Sequence, residues 1–176
     1  DGRTVVACLR SMLFEYVSGQ GGMFDKIETV RNWLAAQPGS TGRTGVIGFC
    51  LGGGFALQLA PRPGYAVSSV NVGVLPKGLE TSLNGVCPII AAYGAGDFSP
   101  CEAASKLEMA LATLRLHHAV QKTSAGGHYC PNHLEDNDLP WLLTMLGQEV
   151  NSRYNEPAAD DARRRIVAFF AKHLKA

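Results

Sequence analysis

The sequence predicts an α/β layer fold, a mostly parallel sheet flanked by helices, and three observations carry that prediction. Short apolar runs of strand length alternate with longer segments whose apolar residues recur at helical spacing. Glycine-rich turns follow the strand candidates. The chain has 176 residues, 46% apolar and 18% charged, which suits one domain over 1–176 with a core that needs no metal or disulfide staple.

Val5, Leu9, Met12, Leu13 and Tyr16 recur at helical spacing, and Gly19, Gly21 and Gly22 stop the pattern. A second helix is expected over about Asp25 to Ala36, with Ile27, Val30, Trp33 and Leu34 as its inner stripe and Pro38-Gly39 as its end. Gly45 to Phe49 is short, apolar and bounded by Arg43 and glycines, so it reads as a buried strand. Phe55 to Ala60 is helical in character and is closed by Pro61 and Pro63. The valine-rich stretch Tyr65 to Val72 and the run Pro88 to Tyr93 are the next strands. Glu102 to Leu114 follows as an amphipathic helix with Leu107, Leu111 and Leu114 on one face, and Ala119 to Thr123 as a fourth strand. Leu139 to Val150 and Ala158 to Leu174 close the chain as helices. In the last one, Asp160 and Asp161 in its first turn and Lys172, His173 and Lys175 near its end suit the helix dipole. Arg163 to Arg165 read as a solvated helix face rather than an anion patch.

Sixteen basic residues against fifteen acidic ones leave a formal charge of +1, which argues against a strongly basic nucleic-acid binder and an acidic disordered tail. The expected partner is a small molecule. No apolar run reaches the eighteen or so residues that span a bilayer, and no charged-then-apolar leader opens the chain. The start at Asp1 reads as cut or processed. The five cysteines, Cys8, Cys50, Cys87, Cys101 and Cys130, form no CxxC pair, so they read as reduced thiols of a cytoplasmic protein. All but one are expected to act as small buried apolar side chains.

The exception is Cys50, within Gly48-Phe49-Cys50-Leu51-Gly52-Gly53, where a buried strand gives way to a helix. A nucleophile elbow forces its central residue into a strained backbone, and Gly48 and Gly52 provide small flanks at minus two and plus two. The sulfur then projects above the carboxyl edge of the sheet. The Leu51 N–H faces the same spot at the positive end of the helix, as one oxyanion donor, and the helix end lowers the thiol pKa. A phosphate-binding reading of Gly52-Gly53-Gly54 is weaker, because no GxGxxG follows a strand and no Gly-Lys-Ser/Thr is present. No cofactor is expected.

A cysteine nucleophile needs a base, and the base an orienting partner. Asp97 follows the strand Pro88 to Tyr93 across Gly94-Ala95-Gly96, and His128 follows Ala119 to Thr123 across Ala125-Gly126-Gly127. All three candidates thus sit at the same ends of parallel strands, where ligands meet open α/β sheets. His128, Cys130, His133 and Asp136 could be drawn as a metal site, but they lack a second ligand pair at established spacing. His133-Leu134-Glu135 imitates the His-x-Glu pair of class I glutamine amidotransferases, a reading that leaves Asp97 idle.

Together G-F-C-L-G-G around Cys50, G-A-G-D at Asp97 and A-G-G-H at His128 resemble the dienelactone hydrolase family of the α/β-hydrolase fold. Phe24 to Ala36 ahead of the elbow strand and Ile166 to Leu174 at the close extend the resemblance. It implies an α/β-hydrolase-like fold with Cys50 as nucleophile, His128 as base and Asp97 as the acid that orients it. The implied reaction is hydrolysis of a cyclic enol ester through a thioester. The family also places a second oxyanion donor and a thiol-controlling glutamate in its amino-terminal part, which no segment here matches. It clamps the substrate carboxylate with arginines, one of them just after the histidine. Here His128 is followed by Tyr129, Cys130, Pro131 and Asn132, so a different ester, lactone or thioester is as good a substrate. A catalytically weak or inactive hydrolase-like scaffold is the non-enzymatic alternative.

The resemblance calls for about eight strands and the sequence offers four, so the amino-terminal strands are expected to be missing from this chain. Gly45 to Phe49 then becomes an exposed apolar edge, expected to belong to a fragment of a longer hydrolase or to close the sheet by self-association. Leu139 to Val150, with Trp141, is a stretch the family does not require, and it reads as a core-packed helix or a lid.

Overall fold

A computed structural model describes residues 2–94, 100–115, 117–123 and 156–175. Two helices come first, α1 (Gly2–Ser18) and α2 (Gly22–Ala35), followed by β1 (Thr44–Phe49), α3 (Leu51–Leu59) and β2 (Tyr65–Asn71). After β2 come α4 (Leu79–Ser82), β3 (Ile89–Gly94), α5 (Pro100–Thr113), β4 (His118–Thr123) and α6 (Glu156–Leu174). The four strands form one sheet in the order β1-β2-β3-β4, and every pairing is parallel. The expected layer fold is therefore present.

Parallel strands are buried on both faces and carry continuous apolar runs. In β2 everything except Ala66 is buried, and Val67 and Val70 are fully so. One face is covered by a core in which Leu57 of α3 and Ala60 just after it meet Val70, Ala91 and Tyr93 of the sheet, Leu79 of α4, and Ala104, Leu107 and Leu111 of α5. Burying a leucine such as Leu107 stabilises the fold by about 1.5–3 kcal/mol. A second cluster packs Tyr16, Phe24, Phe55, Leu59 and Tyr65 beside β1. Phe24 is fully buried there, its ring 4.9 Å from Phe55 and capped by the Arg62 guanidinium at 4.4 Å. Phe170 of α6 packs where a Cβ on Gly45 would stand, so α6 lies against β1 through a glycine.

Two expectations about inner faces are corrected. Val30, Trp33 and Leu34 of α2 are exposed at 56%, 60% and 47%, and only Phe24 is buried. Helix α2 packs beside β1, the outermost described strand, and a stripe at the sheet's margin has little to bury against. Leu114 is also exposed, because it lies past the end of α5 at Thr113. Ile47 of β1 is exposed as well, and β1 has one neighbour among the described strands. The Arg163–Arg165 run pairs with Asp160 and Asp161 of its own helix, as a solvated face does. No described helix is long and apolar enough to cross a membrane. Leu139 to Val150 lies outside the described residues.

Candidate active site

Cys50 stands between β1 and α3 with φ 54° and ψ −123°. Side chains other than glycine rarely adopt such a backbone, which costs on the order of 1–3 kcal/mol and persists only when its surroundings enforce it. Here they do. The Cys50 N–H donates to the Asn71 carbonyl of β2 at 3.0 Å, and the Cys50 carbonyl accepts from the N–H groups of Gly53 at 3.0 Å and Gly54 at 3.3 Å. The Asn71 side chain, 1% exposed, donates to the Gly48 carbonyl at 3.1 Å and to Ser69 Oγ at 3.0 Å. Both ends of the turn are thereby tied to the neighbouring strand.

The glycines divide their work differently from the sequence reading. A Cβ on Gly48 would land on the Gly52 carbonyl and 2.8 Å from the Gly53 nitrogen, so position minus two tolerates nothing larger. A Cβ on Gly52 meets nothing within 4 Å among the described residues. What crowds the turn is the Gly52 backbone. Gly53 is the second position with no room, since its Cβ would stand 2.8 Å from both the Asn71 carbonyl and the Gly73 Cα. Those contacts let the first turn of α3 lie directly on the end of β2, and α3 starts at Leu51 instead of Phe55.

Leu51 opens α3, where helix geometry offers its N–H no intrahelical acceptor. The first turn of α3 carries no acidic side chain to compete for that positive end. Cys50 is half-buried and, like Cys8 and Cys87, in no disulfide. The thiols differ in setting: Cys8 is exposed, which departs from the buried role expected of it, whereas burial pushes Cys87 up to about 12. Asp97 and His128 lie outside the described residues, as do Cys130, His133, Glu135 and Asp136. The strands ahead of Asp97 and His128 end level with each other, Gly94 being in register with Thr123. Both chain exits therefore leave the carboxyl edge of the sheet that carries Cys50.

Val72, directly after β2, escaped the sequence reading. It has φ 46° and is buried at 7% exposure, and a β-branched residue with that backbone is a genuine outlier. The only hint in the sequence is Gly73 after a valine-rich strand. Beyond it a cleft of about 480 Å³ opens between the segment Val74 to Glu80 and α5, lined by Val74, Leu79, Ala103 and Met109 with Glu102 and Lys106 at its polar side. The histidines His117 and His173 lie instead at the amino end of β4, their ring nitrogens 3.1 Å apart. Among the described residues, no group of three or more His, Cys, Asp or Glu could hold a metal ion.

A solved structure from Klebsiella pneumoniae subsp. pneumoniae, assigned as a dienelactone hydrolase, resembles the fold with a TM-score of 0.64 at 21% identity. The match covers 84% of this chain and 60% of that one. MGS-M1, an alpha/beta hydrolase enzyme from a Medee basin deep-sea metagenome library, matches with a TM-score of 0.53 at 14% identity, over 75% of this chain and 55% of its own. This chain thus spans less than two thirds of either structure. No curated protein matches it. The family model described as dienelactone hydrolase matches residues 6–174, nearly the whole sequence, and the chain belongs to the dienelactone hydrolase family.

Proposed function

We propose that the protein hydrolyses a carboxylic ester or lactone by acyl transfer to Cys50, with His128 as general base and Asp97 as the acid that orients it. The observation that carries this reading is the backbone of Cys50, a strained non-glycine turn between a strand and a helix N-terminus. Such a turn serves to expose one side chain above the sheet edge. Family membership supports the reaction class.

In the proposed sequence His128 takes the thiol proton as Sγ attacks the carbonyl carbon, and the Leu51 N–H donates to the developing oxyanion. Collapse expels the alkoxide or enolate, which receives the proton from His128, and leaves a thioester on Cys50. His128 then deprotonates a water, which attacks the thioester. The acid departs and the thiolate recovers its proton. An oxyanion donor of the Leu51 kind contributes about 2.7–4 kcal/mol to such a step. The chain is expected to show burst kinetics on an activated aryl ester at neutral pH, with the burst absent in Cys50→Ala. Equal rates for the two proteins would end the proposal.

A further inference from the structure

We propose that Tyr16 and Tyr93 are positioning residues for Cys50, acting through the segment Val72-Gly73-Val74; the inference rests on the reading of Cys50 as nucleophile. Among the described residues three non-glycine positions have positive φ, and two of them, Cys50 and Val72, stand at the ends of adjacent strands. A strained β-branched residue needs something to hold it. The Val72 N–H donates to the Ala92 carbonyl at 2.8 Å. At Gly73 and the residue after it two hydroxyls then pin the chain. Tyr93 Oη of β3 donates to the Gly73 carbonyl at 3.0 Å, and Tyr16 Oη of α1 donates to the Val74 carbonyl at 2.7 Å.

The pinned segment is the surface on which the elbow rests. The Cys50 N–H bonds the carbonyl just before Val72, and Gly53 lies directly against Gly73. A Cβ on Gly54 would stand 3.0 Å from the Val74 carbonyl and 2.6 Å from the Tyr16 ring. Tyr16 also holds α3 from outside. Its ring meets Phe55 edge-on at 5.8 Å, and its carbonyl accepts from Gln58 Nε2 at 2.9 Å. Two tyrosines from distant parts of the chain thus fix the end of β2, and that end fixes the first turn of α3. The direction of the Leu51 N–H relative to the Cys50 sulfur depends on that turn. Burial pushes the Tyr16 hydroxyl up to about 12, so it remains a protonated donor at any assay pH.

The test compares Tyr16→Phe and Tyr93→Phe with the parent chain and with Tyr65→Phe, a buried tyrosine at the opposite end of β2. Each variant keeps its ring and loses one hydroxyl. The readouts are the pH profile of Cys50 alkylation by iodoacetamide, followed by peptide mass spectrometry, and kcat and KM on the activated aryl ester. For Tyr16→Phe and Tyr93→Phe the alkylation midpoint is expected to rise toward that of a free thiol. Their kcat should fall about tenfold to a hundredfold with KM unchanged, the scale of a small misplacement of reacting groups. Tyr65→Phe should match the parent in both.

Parental alkylation profiles in both variants, or the same loss in Tyr65→Phe, would overturn the proposal. If one variant fails to fold, the other decides, because both hydroxyls act on the same segment. The failure of the nucleophile reading looks different: Cys50→Ala then keeps ester hydrolysis, while the alkylation profiles still report on the brace.

Discussion

The strained backbone at Cys50 makes a prediction that needs no substrate. Cys50→Ala and Cys50→Gly both remove the thiol, and they differ in whether a Cβ remains at φ 54°. At an ordinary site glycine is about 0.5–1 kcal/mol less stable than alanine, because it loses more backbone freedom on folding. Here alanine retains the strain of a non-glycine residue, on the order of 1–3 kcal/mol, and glycine removes it. Cys50 is only half-buried, so the lost methyl adds little to the difference. The order should therefore invert, with Cys50→Gly the more stable by about 1 kcal/mol once the entropic penalty is subtracted. For a chain of this size that corresponds to roughly 2–4 °C in Tm. Thermal unfolding followed by circular dichroism measures it directly. An alanine variant more stable than the glycine variant would refute the strained elbow.

Two further outcomes follow from packing and charge. Gly48→Ala puts a methyl on the Gly52 carbonyl, an overpacking with no flexible neighbour to yield; it should cost about 3 kcal/mol or more and lower Tm in a thermal melt, whereas an unchanged Tm would show that the turn takes another path. At the amino end of β4, burial and the nearby charges of His117, Lys172 and Arg43 hold His173 below its ordinary 6.5, so the folded state favours its neutral form. Stability from this site is present above that ordinary value and is lost as pH falls through it toward the lowered folded value. Tm should therefore decline on acidification below about pH 6.5, and His173→Gln should flatten the decline; an unaltered slope would remove His173 as its source.

The elements legible in the sequence are those with local causes. Glycines around one cysteine, directly after a short apolar run, impose a steric requirement within a few residues, and the backbone at Cys50 meets it. Alternating strand and helix periods gave the parallel sheet for the same reason. What escaped depends on partners far along the chain. Val72 is held by Ala92, and its neighbour Val74 by Tyr16, and neither residue type signals such a contact. Gly53 and Gly54 are required because α3 lies directly on Gly73 and Tyr16, contacts that no local pattern announces. Periodicity identified an apolar stripe on α2 without revealing that Trp33 and Val30 would stand exposed beside the outermost described strand. Asp97 and His128 rest on motif and order alone, because both lie outside the described residues.

The central claim is that Cys50 forms a covalent acyl bond during turnover. The most direct measurement is acid quenching during the burst on an activated aryl acetate, followed by proteolysis and mass spectrometry of the Cys50 peptide. The account predicts one acetyl group on Cys50, labile to hydroxylamine and absent from Cys50→Ala. Continued hydrolysis with Cys50 unmodified, or with the acetyl carried by another residue, would contradict it.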